Sequence, residues 1–92
     1  MTKRLEMEVF GRVQFVMFRD FVKRGAQKGG MVGTVKNSSR GTVLITVEGE
    51  ELLLQKLLER VKMGSLLSRV DRVEERWLQP SGTFHSFSIL YE

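Results

Sequence analysis

The sequence contains no cysteine, one histidine and one proline among its 92 residues. Without cysteine, the chain has no disulfide, no thiolate nucleophile and no sulfur ligand for a metal. The single histidine, His85, has no carboxylate motif near it in the sequence. We therefore interpret it as a surface or packing residue, and any catalytic role of the protein has to do without histidine and cysteine.

Sequence patterns for membrane insertion, metal binding and nucleotide binding are also missing. No run of about 18 apolar residues is present, so we expect no membrane association. There is no metal-type spacing of His, Asp and Glu, no Walker-type glycine-lysine-serine loop and no dinucleotide fingerprint. We therefore expect neither a metal nor another cofactor, and catalysis would rest on positioning and electrostatics.

The composition predicts one globular domain over residues 1–92, since 41% of the residues are hydrophobic and 28% are charged. The net charge of +4 and a pI of about 9.9 favour an anionic partner. The N-terminal segment "MTKRLEMEVF" lacks the apolar core of a secretion signal. We expect a monomeric, cytoplasmic protein.

The hydrophobic pattern of the first half predicts a strand and then a helix. The segment "RLEMEVFGRV" alternates, with Leu5, Met7, Val9 and Val13 on one side. In "FRDFVKRGAQ" the period lengthens to that of a helix, with Phe18, Phe21, Val22 and Ala26 on one stripe. The following "KGG" ends this helix, as glycine commonly does.

The second half predicts a hairpin, a helix and further strands. "MVGTVKN" and "TVLITVEG" flank the short turn "SSRG" and form an antiparallel hairpin. "EELLLQKLLERVKMG" is a helix whose acidic start and basic end complement its dipole. "SRVDRVEERW" is a charged strand near an edge, and "HSFSILY" could add a short fifth strand. The order βαββαβ predicts an α+β fold, the ferredoxin-like α/β sandwich, in which two helices cover one face of an antiparallel sheet of four to five strands.

The junction between the first strand and the first helix has an unusual charge. A strand ending at Val13 and a helix beginning near Phe18 leave a loop from Gln14 to Met17. The N–H groups of this loop and of the first helical turn can bind an anion. Arg19 opposes the helix dipole there, which makes sense where an anion lies between its guanidinium and the amides. The alternative is an ordinary surface arginine.

This stretch carries a family resemblance. "GRVQFVMFR" resembles the acylphosphatase signature Gly-Arg-Val-Gln-Gly-Val-x-Phe-Arg. "GMVGTVKNSSRGTV" is similar to the same family's Gly-x-x-Gly-x-Val-x-Asn followed by Gly-(Ser/Thr)-Val, and "VEGEE" and "MGSLLSRVDRVEERW" also fit. The likeness keeps order and spacing over nearly the whole chain. On these residues the protein is identified as a member of the acylphosphatase family, whose fold is the ferredoxin-like sandwich.

The resemblance implies two main catalytic residues. Arg19 would bind the phosphate and Asn37 would hold the attacking water. Thr42 matches a hydroxyl position that would support Asn37 by helping to orient it. The family's phosphate-binding segment would supply its backbone amides beside the arginine, and it falls here on Gln14, Phe15, Val16, Met17, Phe18 and Arg19.

The implied reaction is the metal-independent hydrolysis of small acyl phosphates to a carboxylate and inorganic phosphate. A carboxylate leaves without help from a protein acid, because carboxyl pKa values lie at about 4. Positioned donors do most of the work in phosphoryl transfer. We expect inorganic phosphate to be both a product and a competitive ligand.

Phe15 departs from the family pattern, which has glycine at this position. Glycine in a phosphate loop usually indicates a positive φ or a close approach of the backbone to the ligand. A phenylalanine there would strain the loop, crowd the phosphate or point harmlessly to solvent. The alternative function is therefore a catalytically weakened homologue that still binds phosphate or another anion.

Two further alternatives come from the predicted topology. RNA-recognition motifs share the βαββαβ order and need stacked aromatic residues on their central strands. The corresponding stretch "RGTVLITV" contains no phenylalanine or tyrosine, so we expect no nucleic-acid binding. The chain could also be a regulatory domain detached from a larger enzyme.

Overall fold

The structure is a computed structural model that describes residues 1–91. The elements, in chain order, are β1 (Thr2–Arg12), α1 (Phe18–Lys28), β2 (Val32–Asn37), β3 (Val43–Glu50), α2 (Glu51–Met63), β4 (Arg69–Leu78) and β5 (Phe87–Leu90). The two helices begin where the hydrophobic pattern changes its period, as the sequence predicted. Within the described part of the chain, no helix combines the length and the apolar character needed to cross a membrane.

The strands form one sheet in the order β4-β1-β3-β2-β5. The pairs β1–β3, β1–β4 and β2–β3 are antiparallel, whereas β5 pairs with β2 in parallel. The ferredoxin-like fold, the edge position of β4 and the fifth strand are thus confirmed. The sheet is mixed rather than wholly antiparallel as predicted. Side chains alternate along a strand in the same way whichever direction its partner runs, so the sequence pattern did not reveal the direction of β5.

The core lies between the two helices and one face of the sheet. The inward residues of β1 and its extension, predicted from the alternation, are all buried: Leu5, Met7, Val9 and Val13. The helices contribute their apolar stripes, which are Phe18, Val22 and Ala26 from α1 and Leu54, Leu57, Leu58 and Val61 from α2. Each large apolar side chain buried in this way contributes about 1.5–3 kcal/mol relative to exposure.

A buried carboxylate anchors the connection between β4 and β5, which lie at opposite edges of the sheet. Glu48 of β3 is only 3% exposed. It accepts hydrogen bonds from the Ser81 N–H (2.8 Å), the Ser81 hydroxyl (2.9 Å) and the Gly82 N–H (3.1 Å). Burial raises the pKa of the Glu48 carboxyl. The hydrogen bonds and the nearby Arg4 lower the pKa by more than burial raises it, so the pKa lies below its ordinary value.

The strand directions bring the C-terminal ends of three strands to one end of the sheet. Both β1 and β2 are antiparallel to β3, and β5 is parallel to β2. The C-terminal ends of β1, β2 and β5 therefore lie at the same end of the sheet, beside the loop that leads from β1 into α1. Side chains that are far apart in the sequence therefore lie close together at this end of the sheet.

Candidate active site

The loop from Gln14 to Met17, here called the β1–α1 loop, is strained and fixed at both ends. Phe15 and Met17 have φ values of 62° and 60°, and Met17 is the N-cap residue of α1. A left-handed conformation costs a residue other than glycine about 1–2 kcal/mol. The neighbouring side chains of Val13 and Phe18 are each only 1% exposed and hold the two ends of the loop in the core.

The amides of this loop are available for a ligand. Within residues 1–91, no hydrogen bond uses the N–H groups of Phe15, Val16 or Met17. The first turn of α1 adds the unpaired N–H groups that every helix has at its start. Since the backbone near a left-handed residue can direct successive N–H groups into one concavity, the loop has the character of an anion site.

The two predicted catalytic residues line one cavity of about 240 Å³. Arg19 comes from the first turn of α1, and Asn37 is the last residue of β2. The lining is completed by Gln14, Phe15, Ser38, Leu90 and Tyr91. Because β1, β2 and β5 finish at the same end of the sheet, an arginine and an asparagine that are 18 positions apart in the sequence lie at one cavity.

Arg19 is half-buried, and within the described residues it makes no ion pair. Its guanidinium carbon lies 5.1 Å from the centroid of the Tyr91 ring, within the range of a cation–π interaction. The neighbouring Asp20 is paired with Arg24, at 3.0 Å, instead of with Arg19. The guanidinium donors of Arg19 are therefore free to bind an anion in the cavity.

Asn37, which lines the same cavity, also carries a buried acceptor. Its Oδ1 atom is buried and has no hydrogen-bond partner within residues 1–91. An unsatisfied buried acceptor costs about 1–3 kcal/mol. The side-chain amide of Asn37 also has two N–H donors, so it offers both kinds of group needed to hold a nucleophilic water.

The side chain of Gln14 ties the two halves of the site together. Its Nε2 donates to the Ser38 carbonyl at 2.9 Å and to the Thr42 carbonyl at 2.8 Å. These carbonyls belong to the turn between β2 and β3, directly after Asn37. The sequence placed Gln14 at the site only through its backbone amide, and the bracing role of its side chain was missed.

Within residues 1–91, no group of three or more His, Asp or Glu side chains is placed to hold a metal ion. His85 is exposed in the connection between β4 and β5 and does not line the cavity.

Both the sequence and the fold match those of known proteins. A model of the Acylphosphatase family matches residues 5–89. The chain belongs to the acylphosphatase family. The acylphosphatase of Latilactobacillus sakei subsp. sakei is 40% identical over 91 residues, which are 98% of this chain and 99% of that protein. These findings confirm the predicted family and the predicted enzyme class.

Solved structures agree. The acylphosphatase from Bacillus subtilis has a TM-score of 0.93 and 41% identity, and the match covers 99% of this chain and all of that one. HypF from T. kodakarensis matches with a TM-score of 0.83 and 33% identity over 98% of this chain but only 12% of its own. A domain of this fold is thus also found within a longer protein.

The side chains of the other signature residues next to Arg19 differ widely in exposure. Phe18 is buried in the core, and Val16 packs against the core. Phe15 and Met17 are 88% and 70% exposed. The positive φ of Phe15 explains why the family pattern has glycine there, and its ring points to solvent at the mouth of the cavity. The left-handed Met17 was not predicted.

Thr42, the family's hydroxyl position, links the β2–β3 turn to β1. It is 4% exposed, and its hydroxyl donates to Glu8 Oε2 at 2.7 Å and contacts the Ser38 hydroxyl. Glu8 also forms an ion pair with Arg40. Within residues 1–91 the Thr42 hydroxyl makes no hydrogen bond to Asn37, so an effect on Asn37 would pass through Ser38, its neighbour in the chain. The contribution of Glu8 was not predicted.

Proposed function

We propose that this protein hydrolyses the carboxyl–phosphate bond of small acyl phosphates, giving a carboxylate and inorganic phosphate. Arg19 and the amides of Gln14 to Met17 bind the phosphate, and Asn37 orients the attacking water. The observation that carries this proposal is the single cavity that Arg19 and Asn37 line beside the β1–α1 loop. Family membership supports acyl phosphate hydrolysis as the reaction.

The chemistry suits these residue types. Water held by Asn37 attacks phosphorus, and the bond between phosphorus and the carboxyl oxygen breaks. The carboxylate leaves without a proton, because its pKa is about 4, and the proton of the attacking water passes to the phosphate. Arg19 and the amides stabilise the charge on the phosphate oxygens. This route needs no histidine, cysteine or metal ion.

The position of Phe15 favours an active enzyme over a weakened anion-binding homologue. Its side chain is 88% exposed, so the ring does not fill the space between Arg19 and Asn37. The loop already holds position 15 at φ 62° despite the side chain. The cost of phenylalanine is therefore borne by stability, and the cavity stays open to a phosphate.

Hydrolysis of benzoyl phosphate tests the proposal. We expect turnover well above the buffer rate and competitive inhibition by inorganic phosphate. Arg24→Ala is a matched control, since Arg24 lies on the same helix, pairs with Asp20 and does not line the cavity; its turnover should equal that of the wild type. Folded protein that binds phosphate but does not turn over acyl phosphates would indicate the weakened homologue instead.

A further inference from the structure

We propose that Phe15, Leu90 and Tyr91, here called the apolar rim, bind the acyl group of the substrate, so that this chain prefers apolar, ring-containing acyl phosphates to acetyl phosphate. This inference rests on the proposed function and specifies its substrate class. Phe15, Leu90 and Tyr91 are 88%, 42% and 76% exposed and line the cavity of Arg19 and Asn37.

The apolar rim is assembled from two separate parts of the chain. Phe15 belongs to the β1–α1 loop, whereas Leu90 and Tyr91 stand at and just after the end of β5. A second, smaller cavity has a volume of about 120 Å³ and shares Phe15, Arg19 and Tyr91 with the first. Met17, which is 70% exposed, adds apolar surface to this second cavity. Apolar side chains thus line both cavities that Arg19 borders, with Asp20 as the one acidic residue of the second.

Phe15 has no evident role in the fold. Its ring is almost entirely outside the core, and its φ of 62° is one that a side chain makes unfavourable. Strain of this kind at a ligand cavity supports a functional explanation. A ring held in water beside an anion site gains free energy when an apolar group covers it.

The occupant follows from the chemistry of the anion site. The phosphate end of an acyl phosphate carries the charge and is bound by Arg19, so the acyl end has to extend towards the cavity mouth. The rim there offers two aromatic rings and a leucine, and aromatic rings associate favourably in offset or edge-to-face arrangements. A benzoyl group reaches this surface with its ring, whereas an acetyl group ends in one methyl group. Phe15 and Leu90 therefore discriminate by the size of the acyl group.

Two substrates and matched variants test this inference. The ratio of kcat/KM for benzoyl phosphate to that for acetyl phosphate should fall at least about fivefold in Phe15→Ala and also fall in Leu90→Ala. A missing methylene in a closed pocket changes such a ratio by about 10–200-fold, and an open rim should change it less. Phe15→Leu should keep most of the wild-type ratio. Comparing ratios between variants cancels the different intrinsic reactivities of the two substrates.

Leu52→Ala is the control for loss of an exposed leucine. Leu52 is 72% exposed at the start of α2. Since α2 follows the end of β3, Leu52 lies at the end of the sheet opposite the cavity, and the benzoyl-to-acetyl ratio of kcat/KM in Leu52→Ala should match that of the wild type. We leave Tyr91 unchanged because its ring also contacts Arg19. Ratios within twofold of the wild type in both Phe15→Ala and Leu90→Ala would overturn the role of the apolar rim in acyl-group binding and leave the proposed hydrolysis standing. Absence of turnover of both substrates by the wild type would overturn the proposed function and the inference with it.

Discussion

Removing the side-chain amide of Gln14 should both destabilise the fold and reduce turnover. Its Nε2 atom joins the β1–α1 loop, which carries the anion-binding amides, to the Ser38 and Thr42 carbonyls of the β2–β3 turn. Asn37 immediately precedes this turn. Gln14→Ala therefore removes this link between the two halves of the candidate site without changing Arg19 or Asn37 themselves.

The expected loss in the free energy of unfolding is about 2 kcal/mol, since each hydrogen bond contributes about 1 kcal/mol net. The carbonyls do not become orphans: Thr42 O still accepts from the Ser38 N–H at 2.9 Å, and Ser38 O accepts a longer bond from the Gly41 N–H at 3.4 Å. No extra desolvation penalty is therefore added. For a domain of this size, 2 kcal/mol corresponds to a fall in Tm of about 8–16 °C.

Urea denaturation and benzoyl phosphate turnover measure the two effects. We expect kcat to fall at least tenfold, because a displacement of about 1 Å in a site can cost about 100-fold in rate. Gln55→Ala is the matched control: Gln55 is exposed on α2, and its loss should change stability by less than about 0.5 kcal/mol. A Gln14→Ala variant as stable and as active as Gln55→Ala would refute the bracing role.

Two further predictions concern stability. In the folded state the Glu48 pKa is below its ordinary value of 4.5, so this group stabilises the fold above that pH and the contribution is lost as the pH falls through the folded-state pKa. Urea midpoints between pH 7 and pH 3 should therefore fall more steeply for the wild type than for Glu48→Gln, and parallel curves would contradict this. Gly33→Ala should destabilise by at least about 3 kcal/mol in thermal unfolding, against about 1 kcal/mol for Gly30→Ala. Both glycines have positive φ, but only a Cβ at Gly33 would clash: it would lie 1.9 Å from the Thr46 carbonyl oxygen, whereas a Cβ at Gly30 meets nothing within 4 Å. Equal losses of stability in the two variants would therefore rule out the clash.

The local elements were predictable because each depends on nearby residues. The change of period at Phe18 marked the start of α1, and the inward positions of β1 and α2 were buried as the alternation and the helical stripe indicated. The helix-dipole argument pointed to an anion near Arg19 but left an ordinary surface arginine open, and the family resemblance assigned the β1–α1 loop and Arg19 to phosphate binding. The positive φ of Phe15 was one of the two conditions expected where the family has glycine.

The interactions between distant segments could not be read from the sequence. Gln14, Glu8 and Thr42 form their hydrogen bonds only after β1 and the β2–β3 turn come together at one sheet edge. Glu48 occupies an outward position of β3, and its burial depends on the β4–β5 connection crossing over it. The parallel direction of β5 depends on where that connection delivers the chain, which the alternation along a strand does not specify.

The division of labour between Arg19 and Asn37 is tested most directly by measuring kcat and the inhibition constant of inorganic phosphate together, with benzoyl phosphate as substrate. We expect Arg19→Ala to raise the inhibition constant at least tenfold, because hydrogen bonds to charged groups contribute about 1.5–3 kcal/mol. Asn37→Ala should lower kcat at least tenfold while the inhibition constant stays within about twofold of the wild type. Equal effects of the two variants on phosphate binding, or no effect of either on turnover, would contradict a shared site in which one residue holds the phosphate and the other the water.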